Sequence, residues 1–339
     1  MTILVDDVGS FPLPSTIDRR TFNRARDLAR KALVDGKDLW KNEFIKDNFC
    51  RVVVDSFEKK RDCGLDVVNY PQHYDMYEQF AEVIREATNE GTYMVNESLA
   101  MIPEVHVIEH EAKRFYEEAG RKVRLRVCIT GPMELYLKEV GTASYKDVLL
   151  MFSETVRRFA RNAVLDSKYI KTEIVSIDEP SFGFQEINME RTAIAEVLKK
   201  AFDFSCEVKQ IHLHSSTRVT DLLDIENLDV LTFEYAASPR NIESVSKRML
   251  EESDKQIRVG ISRTDIDSIM AELHDRDLAA PTAEQLVENT EAMRKRFVAA
   301  KEKYGDRMAF AGPDCGLGGW PTQKAAQLLL ERTVTAAKC

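Results

Sequence analysis

Short apolar runs alternate along this chain with longer stretches whose apolar residues recur at helical spacing. Eight runs, at residues 3–8, 66–69, 124–130, 173–178, 210–214, 230–234, 257–261 and 308–311, predict strands. Several are continuous in Val and Ile, the composition of strands buried on both faces. Amphipathic patterns between them predict helices over 44–61, 145–165, 191–202, 242–252, 283–304 and 322–337, with Thr282 placed to cap the fifth after Pro281. Strands alternating with helices require a parallel sheet with crossover helices. Eight such units fit a closed (β/α)8 TIM barrel better than an open doubly wound sheet, the alternative arrangement. Long gaps predict extra helices after the first strand (15–41) and between the second and third (98–119). No internal repeat or low-complexity linker divides the chain, so a single catalytic barrel over residues 1–339 is expected, one such unit taking about 250 residues and tolerating insertions.

Polar chemistry gathers where these strands end. The ends carry Gly9-Ser10-Phe11-Pro12, Asn69-Tyr70-Pro71-Gln72-His73, Thr130-Gly131-Pro132, Asp178-Glu179-Pro180, His212-Leu213-His214-Ser215-Ser216, Glu234, Arg263 with Asp265, and Gly312-Pro313-Asp314-Cys315-Gly316. In a barrel these carboxyl ends form one face, where active residues sit. His212 and His214 are two apart on a strand and therefore share a side, with Ser216 following if the strand geometry persists. Two histidines satisfied by core hydrogen bonds are the alternative, the plainer one for a single isolated histidine. Glu234 closing the next apolar strand, and Cys315 in a glycine-rich loop, complete a nitrogen, oxygen and sulfur set suited to Zn²⁺. Asp178 and Glu179 could bind an ammonium group or handle a proton, or could cap a neighbouring loop.

Charge and composition narrow the function classes. A formal net charge of −9 argues against general nucleic-acid binding. No apolar run reaches the roughly 18 residues of a membrane span, and residues 1–7 lack the basic and apolar regions of a signal peptide. Cys50, Cys63, Cys128, Cys206, Cys315 and Cys339 form no CxxC pair and predict free thiols in a reducing, cytoplasmic setting.

The segments Val8-Gly9-Ser10-Phe11-Pro12, Ile177-Asp178-Glu179-Pro180, Ile211-His212-Leu213-His214, Thr232-Phe233-Glu234 and Pro313-Asp314-Cys315-Gly316-Leu317 resemble, in order and spacing, the catalytic domain of cobalamin-independent methionine synthase. Asp75-Met76 and Thr130-Gly131-Pro132 fit the same pattern. More distantly the family resembles uroporphyrinogen decarboxylase and the corrinoid-using methyltransferases, which share the barrel. The chain is similar to the short core forms of archaea and some bacteria, which implies methylcobalamin or a corrinoid protein as methyl donor and a small thiol as acceptor. The resemblance further implies zinc held at His214, Ser216, Glu234 and Cys315, with Ser216 standing where the family has cysteine and His212 the alternative fourth ligand. Ser10, Tyr70, Met76, Asp178 and Glu179 fall at substrate-binding positions, Asp178 and Asp265 at catalytic ones. Tyr70 replaces a family glutamate that grips the amino-acid part of homocysteine, and Asp265 falls near a family histidine. Thiols without an ammonium group, such as coenzyme M-like sulfonates, therefore remain in play, with Arg263 or Arg240 as partners for an anionic head. Two other functions stay open: a decarboxylase-like lyase on the same barrel, and a non-catalytic barrel that binds a corrinoid protein or small ligand.

Overall fold

A computed structural model describes residues 2–185, 187, 189–276, 278 and 280–338; Cys339, one of the expected free thiols, lies outside the described residues. Eight parallel strands form one sheet: β1 (Leu4–Val5), β2 (Val68–Asn69), β3 (Val123–Thr130), β4 (Ile170–Asp178), β5 (Val208–Leu213), β6 (Val230–Phe233), β7 (Gln256–Ser262) and β8 (Met308–Pro313). Their order is β1-β8-β7-β6-β5-β4-β3-β2. The two ends of that order meet along a sparse seam. Asp66 and Val67 donate their amides to the Val5 carbonyl (2.8 and 3.3 Å), and parallel bridges join Asp6 to Val67 and Ser10 to Gln72. The sheet is thus a (β/α)8 barrel and not an open sheet.

Strand alternation sorts the barrel interior into layers. Along β4 the same-side residues are Ile174, Ser176 and Asp178; along β5, Val208, Gln210 and His212; along β6 and its end, Val230, Thr232 and Glu234. The lowest layer is apolar: Val67, Ile174, Val230, Ala309 and Phe310 pack as a cluster separate from the main core, with Leu4 and Val208 against it. Above it lies a polar layer. Asp6, fully buried, accepts from Arg258 Nε (2.5 Å) and faces Arg126 Nε at 3.5 Å, both guanidinium groups also being fully buried. Gly312 leaves room for this pair, since a Cβ there would stand 2.2 Å from Arg258 Nη2. The third layer, at the carboxyl ends, holds the residues of the candidate site.

Helices cover the outside and bury the larger apolar core against the sheet. The extra helices expected near 15–41 and 98–119 are present as Arg19–Val34 and Pro103–Ala119, the first capped by Asp18. The pattern at 283–304 breaks into Ala283–Leu286, started by a Thr282–Gln285 capping box, and Thr290–Tyr304, restarted by the Asn289 side chain on the Ala292 amide. The 242–252 pattern likewise divides into Arg240–Ser244 and Lys247–Glu252, the latter capped by Ser246. Among the described residues three α-helices lie outside the expectation, Glu78–Thr88, Pro132–Glu139 and Ile266–His274. The second is anchored from another strand. Glu179 accepts from the amides of Met133 (2.9 Å) and Glu134 (2.7 Å) in its first turn, a favourable place for a carboxylate. Among the described residues no helix is long and apolar enough to cross a membrane.

Asp6 is the shared counter-charge of two buried guanidinium groups, so Asp6→Asn leaves both without it. The expected cost is about 3–5 kcal/mol, read as a lowered urea midpoint at unchanged slope. Adding Arg258→Met to that variant should recover part of the loss.

Candidate metal centre

His214 stands just past β5, Glu234 follows β6 directly, and Cys315 lies two residues past β8. With His212 of β5, these side chains each offer one ligand atom, and the four atoms all lie within 4.8 Å of one another. His214 Nε2 is 3.6 Å from Cys315 Sγ and 3.5 Å from Glu234 Oε1. Ligand atoms of a tetrahedral Zn²⁺ with 2.0–2.3 Å bonds stand about 3.3–3.8 Å apart. The imidazole–carboxylate separation is longer than a good hydrogen bond and matches that ligand spacing.

Burial penalises the charged form of each group. It pushes the Cys315 thiol up to about 12, with the neighbouring Glu234 charge adding to the effect. It pushes Glu234 up to about 8, helped by Asp314 and Asp265, and lowers the pKa of His214. His212 is driven well below the usual imidazole value by burial and then by His214, Arg258 and Arg126. A divalent cation reverses this logic, because it supplies the missing positive charge to a thiolate and a carboxylate. The fit is sharpest at His212, which is 2% exposed and whose two ring nitrogens both lack a hydrogen-bond partner among the described residues. Buried polar groups are seldom left so.

Residues that touch no ligand atom hold these strand ends in place. Asp314 is fully buried; its Oδ1 accepts from the amides of Tyr235 (2.9 Å) and Ala236 (3.0 Å), its Oδ2 from Ala237 (2.6 Å). One carboxylate thereby joins the Cys315 loop of β8 to the chain just after Glu234 of β6. Between those strands runs β7, and Gly260 makes the crossing possible: a Cβ there would sit 2.0 Å from Asp314 Oδ1. Asn241 ties β5 to β6, donating through Nδ2 to the carbonyls of His214 (2.8 Å) and Glu234 (2.9 Å). Its Oδ1 accepts from the Ser216 amide and hydroxyl, both at 3.1 Å. Sequence reasoning missed Asn241 and Gly260, and quoted Asp314 without a role. The carboxylate directly before Cys315 was the available signal.

The other expected site residues divide. Ser10 lies against the Cys315 loop, its hydroxyl accepting from the Gly318 amide at 3.0 Å and leaving no room for a side chain at Gly316. Asp178 is the register partner of His212, and its Oδ1 accepts from the Ser176 hydroxyl at 2.6 Å. Burial pushes its carboxyl up to about 6, against the pull of Arg126, Ser176 and Arg258. Glu179 spends both oxygens on the Pro132–Glu139 helix, so the capping alternative describes its place, and burial pushes it up to about 8. Tyr70 is buried in a closed network, donating to the Cys128 carbonyl (3.0 Å) and accepting from Gln72 and Gln79. Met76 is half-buried, and its carbonyl accepts from the Thr130 hydroxyl at 2.6 Å. Asp265 is held in a two-armed pair by Arg263, which also grips Glu272, and Arg240 is exposed. Ser216 is turned to Asn241, and His212 stands in the cluster.

No protein-family model matches this chain, and no curated protein does. Among solved structures, a B12-independent methionine synthase from Shewanella sp. W3-18-1, in complex with selenomethionine, superposes with a TM-score of 0.63 at 14% identity, covering 100% of this chain and 97% of that one. A methyltransferase from Methanosarcina mazei gives a TM-score of 0.52 at 14% identity, covering 98% and 94%. These likenesses establish the fold.

Because Asp314 crosses β7 only over Gly260, Gly260→Ala should displace it and loosen both strand ends. The expected result is a loss of about 1–3 kcal/mol in denaturant unfolding, together with weaker metal uptake in a zinc titration. Unchanged stability and uptake would show that Asp314 is not confined as described.

Proposed function

We propose that this protein is a zinc-dependent S-methyltransferase that moves a methyl group to a small thiol. The observation that carries this reading is the convergence of an imidazole, a carboxylate and a thiol from three strand ends, His214, Glu234 and Cys315, onto one point at the carboxyl face. The methionine synthase-like fold supports it as analogy. His214, Glu234 and Cys315 would hold the metal. When bound, zinc stabilises the acceptor sulfur as a thiolate that remains nucleophilic at neutral pH.

The chain's own residues do the rest. Asp178, beside His212 and buried, offers a carboxylate to the ammonium group of the acceptor, and Ser10 orients the same end from beside the Cys315 loop. An acceptor carrying an ammonium group is favoured over a sulfonate thiol on a specific ground. Arg263 is already engaged by Asp265 and Glu272, and Arg240 is exposed, so neither is set to receive an anionic head. Homocysteine-like aminothiols are therefore the acceptor class. A methylated corrinoid, free or protein-bound, would be the donor, giving up its methyl group as a cation equivalent and keeping the carbon–cobalt electron pair, with the thiol proton released to solvent. A lyase of the decarboxylase type would leave the imidazole–carboxylate–thiol cluster without a purpose.

Elemental analysis should find one zinc per chain, and methylcobalamin with homocysteine should yield the S-methyl product by mass spectrometry. Cys315→Ala or chelation should lower the rate more than about 100-fold. Full activity after complete metal removal would end the zinc reading, and absence of any S-methyl product together with a lyase activity that survives in Cys315→Ala would turn the assignment toward the lyase.

Asp178 supplies a second check. Its folded pKa of about 6 lies above the ordinary 3.8, so the unfolded chain releases this proton first and stability falls as pH rises from about 4 to 6. Asp178→Asn removes that loss. The variant should be more stable than the parent by roughly 2–3 kcal/mol at pH 8 and equal to it below pH 4. Its KM for an aminothiol should rise at least about tenfold through loss of the counter-charge. A stable variant with an unaltered KM would remove Asp178 from substrate binding.

A further inference from the structure

We infer that His212 is the fourth metal ligand of this site and that Ser216 serves as a strut, so that the donor set is two imidazoles, one carboxylate and one thiolate. The inference rests on the metal reading above and specifies it. Three observations carry it. First, His212 places a ring nitrogen within 4.8 Å of the ligand atoms of His214, Glu234 and Cys315. Second, neither of its ring nitrogens has a hydrogen-bond partner among the described residues, although the residue is 2% exposed. An orphaned buried donor or acceptor is costly, and a cation at the cluster gives one nitrogen a partner. Third, Ser216 is engaged elsewhere. Its hydroxyl and amide both donate to Asn241 Oδ1, and Asn241 Nδ2 in turn holds the carbonyls of His214 and Glu234. Turning the hydroxyl to the metal would break one of the bonds that fix two ligand-bearing strand ends.

The exchange of ligands follows from strand geometry. Residues 212 and 214 lie two apart and share a side of β5, so both rings can meet one ion, the deeper from inside the barrel and the outer from the mouth. Their rings stand 5.6 Å apart at 75°, which prevents stacking and lets each present an edge. The charge consequence is definite. Zn²⁺ with one thiolate, one carboxylate and two neutral imidazoles has net charge zero, whereas a second thiolate in place of an imidazole would make it −1. A neutral centre attracts an anionic acceptor sulfur more strongly than a negative one does. This protein should therefore hold its thiol substrate tightly as thiolate, the sulfur entering as a fifth ligand or in exchange for one of the four. A set with one sulfur among harder donors should also accept Co²⁺ readily.

Zinc-edge X-ray absorption on the full chain loaded with zinc decides the ligand count. Two imidazoles and one sulfur in the first coordination shell are expected; one imidazole would overturn the inference while leaving the metal reading intact. Competition titrations with Zn²⁺ give the independent arm. His212→Gln should weaken zinc binding about 10–100-fold, whereas Ser216→Ala, which keeps the backbone bond to Asn241, should shift it less than about threefold. The reverse pattern would overturn the inference. If His212→Gln fails to fold, judged by circular dichroism, the absorption measurement on the parent chain still decides. A parent chain that binds no zinc at all would overturn both this inference and the function proposed above.

Discussion

The mouth of this barrel depends on a carboxylate that binds no ligand. Asp314 gathers three successive amides, of Tyr235, Ala236 and Ala237, and so joins the loop carrying Cys315 to the chain leaving Glu234. Those two strands are not neighbours, and the joint passes over β7 at a glycine. Without the joint, two of the proposed ligands would sit on loops that move independently. With it, and with Asn241 joining His214 to Glu234, three strand ends behave as one rigid frame. A metal site needs its ligands held in place before the ion arrives, and residues behind the ligands do this work.

Below the frame, the barrel interior is polar where a barrel core is ordinarily branched and apolar. Asp6 between Arg126 and Arg258 is expensive to bury, and an ion pair of this kind adds little stability over well-packed apolar residues. Its position suggests what it contributes. Both guanidinium groups act on His212 and Asp178 from beneath, opposing protonation of the ring and favouring the charged carboxylate. An unprotonated imidazole is the form that can ligate a metal. The apolar layer of Val67, Ile174, Val230 and Phe310 then seals the end of the barrel away from the site.

Electrostatics gives the cluster its character. Four groups that could ligate a cation stand together, His212 buried and the other three partly exposed, and desolvation holds the thiol and Glu234 toward their neutral forms. This arrangement is uncomfortable for a purely structural core, since it leaves an imidazole unpartnered and places an acid beside a thiol. A cation resolves each discomfort at once, because thiolate, carboxylate and neutral imidazole are the forms it stabilises.

The sequence alone determined the architecture and the chemical cast. Short apolar runs rich in Val and Ile and the helical stretches between them point to a parallel, helix-covered sheet, and the polar residues at the strand ends mark its carboxyl side as the face to search for a site. His212 and His214 share a side because strands alternate, and that relation needs no coordinates. Helix divisions such as that at Asn289 were harder to see, because a cap competes with a continuous apolar period. What only the tertiary structure decided was which polar groups meet. Glu179 and Asp178 are adjacent in the chain, yet one caps a helix from β3 and the other lines the site. The resemblance puts Ser216 at a ligand position with His212 as the alternative, and only the folded chain turns the Ser216 hydroxyl to Asn241, 25 residues beyond it. Hydrogen bonds between distant residues leave no period in a sequence, because they depend on how the closed sheet brings separate strand ends together.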